Sequence, residues 1–229
     1  MSETGKRRVG RPSTQVVTRD RIIDAALKII DEQGNVGFVM RDIARELGVR
    51  PSALYNHVSS RDDIIHGIRE RVGERISYGT LHDLPWDEAL ARWAHRYRDA
   101  FVAHPPTIAL LAVMPIQDGV GIAAAYEELV TLLVRAGWGR DEVLDVVVAL
   151  ESFILGSALD AAAPADMLDP GERDDAPEFT AAYRARQQVL DRTGAAPADL
   201  AFEHGLRLLL HGLRFEKLAR DGGESPHAE

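Results

Sequence analysis

The sequence predicts an all-α protein. Apolar residues recur at helical spacings of three and four along most of the 229 residues. No segment alternates between apolar and polar residues as a half-buried strand does, and no Asn-Gly or Asp-Gly pair joins two such segments into a hairpin. Apolar residues make up 45% and charged residues 28%, which is typical of a soluble globular protein with one or two domains.

Composition excludes several other classes. Cysteine is absent, so disulfides, thiolate metal ligands and cysteine nucleophiles are excluded. The longest unbroken apolar run, residues 108–116, is about half the length of roughly 20 residues that a bilayer-spanning helix needs. No apolar stretch closely follows the basic N-terminus, so it is not a secretory signal, and we expect a cytoplasmic protein.

Charge is distributed unevenly along the chain. The net charge is −9, but residues 1–75 carry a net +3 and residues 76–229 a net −12. A basic end on an acidic body suggests that only the N-terminal part approaches nucleic acid. An ordinary fluctuation of surface charge would give the same numbers.

The N-terminal part contains four predicted helices. Residues 1–17 are polar and form a basic arm, and a helix follows from Arg19 to Gln33, with Thr18 as N-cap and Gly34 as terminator. A short second helix covers about residues 40–47 and a third about 51–57. A fourth begins after Ser60, where Ser60 and Asp63 are spaced as in a capping box.

The rest of the chain is also predicted to be helical. After a break at 79–85, helices are expected at about 86–103, 106–113, 121–136, 140–162, 178–192 and 198–219. Residues 164–177 contain three prolines and form a long loop. The chain therefore divides into an arm (1–17), a first domain (18–78) and a larger second domain (79–229).

The second and third helices have the pattern of a helix-turn-helix. The turn between them is Gly48-Val49-Arg50, and Gly48 can adopt the left-handed conformation that such a turn needs. Val49 and Leu54 are placed to hold the two helices together. A short exposed helix of this kind fits the major groove of B-DNA.

Three runs of residues resemble the DNA-binding domain of the tetracycline-repressor (TetR) family. They are RDIARELGV at 41–49, SALYNHV at 52–58 and SRDDII at 60–65, and the resemblance covers about residues 18–78. It implies a three-helix DNA-binding domain with a helix-turn-helix, followed by a larger helical domain for effector binding and dimerisation.

The resemblance assigns roles by position. Arg41 corresponds to an arginine that contacts bases or phosphates, and His57 and Arg61 correspond to backbone-contacting residues. The groove-facing surface of the recognition helix corresponds to Pro51, Ser52, Ala53 and Tyr55. Two residues depart from the family pattern: Val39 replaces a usual threonine, and Arg50 replaces a frequent serine and adds a possible phosphate contact.

The N-terminal arm contains Arg8 and Arg11, and its Gly10-Arg11-Pro12 resembles the centre of an AT-hook, which lays arginine into a narrow minor groove. Val9 stands where such a motif usually has arginine. General attraction to phosphates and a merely solubilising tail are the alternatives.

Two helices of the second domain suggest a dimer interface. Residues 201–213 resemble the last helix of the tetracycline-repressor subgroup, and Gly205 and Gly212 fall on nearly one face. The helix at 140–162 is unusually apolar. We predict a four-helix interface between two copies, made by Val147, Ile154, Gly205, Leu209 and Gly212. A monomeric core is the alternative.

Candidate effector-binding residues lie between the central helices. The aromatic and apolar candidates are Trp86, Trp93, Tyr97, Phe101, Met114 and Tyr126, most of which could equally be plain core. His104, Thr107 and Asp160 resemble in order and spacing the residues that hold a magnesium–drug chelate in the tetracycline repressor. The match is loose, so no cofactor is expected and magnesium is a minor option.

These observations favour a homodimeric repressor that binds double-stranded operator DNA and is released by a small, uncharged or cationic effector. We find no catalytic motif in the sequence. The Gly-x-Gly-x-x-Ala at 119–124 matches a dinucleotide-binding fingerprint, but no strand precedes it. The alternatives are a transcriptional activator and a helical binding protein with a vestigial DNA-binding domain.

Overall fold

The computed structural model describes residues 16–34, 37–76, 81–115, 121–171 and 173–221. Within these ranges every regular element is a helix, which confirms the all-α class, and no helix there could span a bilayer. The elements in chain order are α1 (Arg19–Gln33), α2 (Met40–Glu46), α3 (Pro51–Leu54), α4 (Arg61–Gly73), α5 (Trp86–Val102), a 3-10 turn (Pro105–Thr107), α6 (Ile108–Leu111), α7 (Ile122–Arg135), α8 (Val143–Asp160), α9 (Pro177–Thr193) and α10 (Pro197–Asp221).

Most predicted helices begin and end within three residues of the observed ones, and α1 coincides with its prediction. The segment 106–113 was predicted as one helix but consists of a 3-10 turn followed by one α-helical turn. The 3-10 turn is closed by Thr107, whose N–H and hydroxyl both donate to the carbonyl of His104, at 3.0 and 2.7 Å.

The caps predicted for the first and fourth helices are present. The hydroxyl of Thr18 accepts from the N–H of Arg21 at 3.3 Å, and Gly34 adopts the left-handed conformation with φ of 64°. At α4 the hydroxyl of Ser60 accepts from the N–H of Asp63, whose carboxylate accepts from the N–H of Ser59. The last bond differs from a standard capping box, in which the N-cap residue itself would donate.

The first four helices share one core. Ile22 and Ile30 of α1 and Ile68 of α4 are fully buried where these two helices pack. Ile43 of α2 and Leu54 of α3 are equally buried and belong to the same cluster. Burial of such branched side chains stabilises the domain by roughly 1.5–3 kcal/mol each, so the two short helices are held by packing rather than by their own propensity.

In the second domain α5 packs against both α8 and α10, and α7 packs against α8. Leu90, Trp93 and Ala94 of α5 are fully buried in this contact. From α10, Phe202 reaches the same core and stacks on Phe153 of α8, with ring centroids 5.6 Å apart.

The prediction that Val147 and Ile154 form a dimer interface is wrong. Both side chains are fully buried inside their own chain, so neither can reach a second copy. Gly205 also faces inward, because a Cβ at this position would lie 2.6 Å from a ring carbon of Phe153. By contrast Leu209 is 37% exposed, and Gly212 is exposed with open space around it.

Arg98 of α5 is only 6% exposed and joins three helices. Its Nε donates to the hydroxyl of Ser157 in α8 at 2.9 Å, and its Nη2 lies 2.8 Å from the carboxylate of Asp199 in the first turn of α10. The guanidinium also lies over the ring of Phe202, 4.7 Å from the centroid. A buried charge with this many partners fixes the relative positions of the three helices.

We expect Arg98→Ala to lower the free energy of unfolding by about 2–3 kcal/mol, because it removes the ion pair, the hydrogen bond and the packing on Phe202 together. This is less than the roughly 3–5 kcal/mol for a fully buried pair, since Asp199 remains accessible to water. The measurement is denaturant unfolding at a fixed protein concentration. Arg92→Ala, on the exposed face of the same helix, should change stability by less than about 0.5 kcal/mol. Equal losses in both variants would contradict this account.

Candidate DNA-binding surface and effector region

The turn between α2 and α3 has the geometry expected of a helix-turn-helix. Gly48 has a φ of 66°, and its N–H donates to Arg45 while that of Val49 donates to Ala44 at 2.9 Å. A side chain at position 48 would be strained in this left-handed conformation. The half-buried Val49 and the fully buried Leu54 anchor the turn to the core.

α2 begins without a side-chain cap. Val39 is its N-cap residue and offers no oxygen, but the carboxylate of Asp42 accepts from the N–H of Val39 at 3.3 Å. The hydroxyl that the family usually places here is missing, as the sequence indicated.

α3 presents its surface to solvent. Tyr55, directly after the helix, is 56% exposed, and Arg41 at the start of α2 is exposed as well. Arg50, Pro51 and Ser52 are exposed, whereas Ala53 is half-buried. The α-helical part is only four residues long, because His57 closes a tighter turn by donating to the carbonyl of Leu54.

His57 and Arg61 differ in their surroundings. His57 is exposed, but Arg61 is half-buried, with its Nε donating to the carbonyl of Phe38 at 3.3 Å and its guanidinium 4.7 Å from the centre of the Phe38 ring. Arg61 therefore already holds the chain before α2 against α4. The other predicted DNA contacts, Arg8 and Arg11, lie outside the described residues.

Three aromatic side chains of α5 form a column. The rings of Trp93 and Tyr97 meet edge to face at 5.3 Å, and those of Tyr97 and Phe101 are stacked at 5.2 Å. Trp93 and Phe101 are buried, while Tyr97 is half-buried. Trp86, the first residue of α5, makes an edge-to-face contact with Trp138 instead.

Sequence reasoning missed a carboxylate beside this column. Tyr126 of α7 donates its hydroxyl to the carboxylate of Glu151 in α8, at 2.8 and 2.9 Å from the two oxygens, and Tyr97 also hydrogen-bonds to it. Burial raises the pKa of Glu151 above its ordinary value, against the opposing effect of the two hydroxyls. The signal was available, because Glu151 is the one ionisable residue between Asp145 and Asp160.

The structure does not assemble the predicted trio of His104, Thr107 and Asp160. His104 is bonded through Nδ1 to Asp31 of α1 at 2.8 Å, and Thr107 is fully buried with its hydroxyl on the carbonyl of His104. Asp160, at the end of α8, instead borders a small cavity with the loop that follows and the start of α10.

These donors do not fit a magnesium site within one chain. Across the described ranges, no three His, Asp or Glu side chains are grouped so that they could hold a metal ion. His104 has its Nδ1 engaged by Asp31, and the Thr107 hydroxyl is turned to a carbonyl.

Met114, another predicted lining residue, lies where α6 leads towards α7. Its carbonyl and that of Pro115 accept from a guanidinium nitrogen of Arg69 in α4, at 3.3 and 2.9 Å. A groove of about 410 Å³ lies elsewhere, between α9 and α10, lined by residues that include Val189, Leu200 and Gly205.

A helix-turn-helix with an exposed second helix, joined to a larger helical domain, defines a DNA-binding protein. Comparisons with known proteins agree. Residues 22–68 match the model of bacterial regulatory proteins of the tetR family, and residues 81–216 match that of the tetracyclin repressor-like C-terminal domain. The chain belongs to the TetR family, and it is a transcriptional regulator rather than an enzyme.

Individual relatives are similar over most of their length. An HTH-type transcriptional regulator of Saccharopolyspora erythraea is 26% identical over 203 residues, which are 86% of this chain and 85% of the relative. The tetracycline repressor protein class A from transposon 1721 of Escherichia coli is 25% identical over 90% of this chain and 94% of its own. A possible TetR family transcriptional regulator from Streptomyces coelicolor superposes with a TM-score of 0.62, at 27% identity, over 86% of this chain and 98% of that one.

We expect Tyr55→Ala and Arg41→Ala each to weaken operator binding by about 1–3 kcal/mol, because both remove exposed groups from the surface facing the groove. Their thermal unfolding should be nearly unchanged, since neither side chain is buried. Fluorescence anisotropy on DNA selected by the protein from a random library measures the affinity. Arg184→Ala, an exposed arginine on α9, is the control and should bind as the wild type does. Wild-type binding by both α2–α3 variants would show that the recognition surface lies elsewhere.

Proposed function

We propose that this protein is a homodimeric repressor that leaves its operator when a small molecule binds the second domain. The observation that carries the proposal is that the DNA-binding helices are tied to the effector region by side-chain contacts at two points. The names of the relatives, which include tetracycline repressors, support it. We place the protein in the cytoplasm, where an operator would be found.

One tie joins α1 to the segment after α5. Asp31 and His104 form a contact in which the His104 side chain is 13% exposed and the Asp31 side chain 32%. The second tie joins α4 to the end of α6 through Arg69 and the carbonyls of Met114 and Pro115. An effector that draws either segment towards the aromatic column would move α1 or α4, and binding to DNA would weaken by linkage.

The residues predicted to bind the effector are Trp93, Tyr97, Phe101, His104, Thr107, Met114, Tyr126 and Asp160. The proposed effector region is the aromatic column of α5 with Tyr126, whereas Asp160 borders a separate cavity. Within the effector region the half-buried Tyr97 and Tyr126 offer both a ring and a hydroxyl to a ligand. His104 influences the position of α1 through its contact with Asp31.

Dimerisation is proposed through the exposed faces of α8 and α10. Each helix has a row of exposed residues at helical spacing. The row on α8 is Val148, Ser152, Gly156 and Leu159. The row on α10 is Leu208, Gly212 and Phe215. Val148, Leu159 and Leu208 are each about half exposed, and Phe215 is 70% exposed. Large apolar side chains left in water beside glycines are typical of a helical interface that lets two backbones approach. Leu209 belongs to the edge of this face.

The function is tested by selecting DNA from a random-sequence library. We expect the selected sequences to contain two inverted half-sites, because a twofold dimer presents two recognition helices in opposite orientation. The affinity should fall steeply with rising salt as phosphate contacts release counterions. Recovery of no preferred sequence would contradict the proposed function and would favour a helical binding protein instead.

We expect Gly212→Leu and Gly156→Leu to dissociate the dimer, because an added side chain overpacks helices in close contact. Sedimentation velocity at several concentrations measures the change in mass. Gly73→Leu is a matched control on α4, where a Cβ also meets nothing within 4 Å. Gly205→Leu is unsuitable as a test because it collides with Phe153 of the same chain. Intact dimers in both variants would place the interface elsewhere.

We expect Asp31→Asn and His104→Ala each to change operator affinity by about 1 kcal/mol, because the tie biases the position of α1 without touching DNA. The double variant should change affinity no more than either single variant, since both remove the same contact. Glu32→Gln, the exposed neighbour on α1, is the charge-matched control. Additive effects of the two changes would show that the contact does not couple the domains.

A further inference from the structure

Glu151 occupies an unusual place in α8. The residues around it in this helix, from Val146 to Leu159, contain no other ionisable side chain. Its neighbour in sequence Leu150 is 2% exposed, and Ile154, three residues on, is fully buried. A carboxylate in such surroundings is unfavourable unless it is hydrogen-bonded and matched by a positive charge.

The hydrogen bonds are present. Tyr126 donates to Glu151 at 2.8 and 2.9 Å, and Tyr97 provides a further hydroxyl. Two hydroxyls satisfy part of the carboxylate's hydrogen-bonding capacity, but they supply no charge.

No cation balances Glu151 in the part of the chain that the structure describes. The buried Arg98 is engaged by Asp199 and Ser157. The raised pKa of Glu151 agrees with this imbalance. Among the described residues, Glu151 is therefore a largely buried carboxylate with hydroxyl partners and no counter-charge.

We propose that Glu151 binds the positively charged group of the effector, between the rings of Tyr97 and Tyr126, and that the effector is an aromatic amine or another cation with an aromatic frame. This inference rests on the proposed function, because it assigns the ligand of the same effector region. A cation there gains both the carboxylate and the negative faces of the tyrosine rings. Tyr97 stacks on Phe101, so the aromatic surface beside Glu151 continues along α5.

The proposal is tested with two probes that share a ring frame, 9-aminoacridine, which is protonated at neutral pH, and acridine, which is neutral. Fluorescence titration without DNA gives both affinities. We expect the wild type to prefer the cation by roughly tenfold or more, on the scale of a desolvated ion pair with cation–π contacts. In Glu151→Gln the preference should fall to about threefold or less, because the amide keeps the shape but not the charge.

Two further variants make the result specific. Glu127→Gln removes an exposed carboxylate from α7, next to Tyr126, and should keep the full preference. Glu151→Asp retains the charge and should restore part of the preference, and circular dichroism shows whether each variant is folded. Binding of neither probe, equal binding of both by the wild type, or an unchanged preference in Glu151→Gln would overturn the proposal.

Operator binding is scored separately on the selected DNA. Glu151→Gln should bind that DNA as the wild type does in the absence of a probe, since Glu151 lies in the second domain. A protein that prefers the cation but selects no DNA would retain this inference and contradict the repressor function. A protein that selects DNA but does not prefer the cation would retain the repressor function and exclude a cationic effector.

Discussion

The arrangement of the second domain depends on the buried guanidinium of Arg98. It binds α8 through Ser157 and the first turn of α10 through Asp199, so three helices cannot shift independently without breaking a charged contact. The same helix α5 carries the aromatic column and leads directly into His104. A movement of α5 would therefore be transmitted both to α8 and α10, on which the proposed dimer face lies, and to the contact with α1.

Directional polar contacts join the two domains at these points, beside a buried apolar cluster that runs through both domains. The bond between Asp31 and His104 and those from Arg69 to two carbonyls each exchange readily with water or with a ligand. Such contacts contribute little to stability individually but are directional, so they specify one relative position of α1 and α4. This is the property that a two-state regulator needs, because small differences in free energy can then shift its population.

Much of the fold was predictable because it follows from local rules. Gly34 and Gly48 end their helices in the left-handed conformation, and the apolar stripe of α1 identifies its buried side correctly. The outward side of α8 could not be identified from the sequence for a physical reason: α8 is apolar on nearly all sides, so periodicity cannot distinguish the buried Val147 from the exposed Val148. The bond between Asp31 and His104 spans 73 residues of sequence, and nothing in either local pattern indicates it.

Arg98 and Glu151 show how one domain treats buried charge in two ways. Arg98 finds an acidic partner, a hydroxyl and an aromatic ring within its own chain, so its charge serves the structure. Among the described residues, the hydrogen-bond partners of Glu151 are hydroxyls alone, and its raised pKa reflects the unfavourable burial of its charge. Hydrogen bonds from two hydroxyls offset only part of the cost of burying a charge. Because stability alone does not account for a carboxylate there, the partner that completes it is best sought outside the chain, in the ligand.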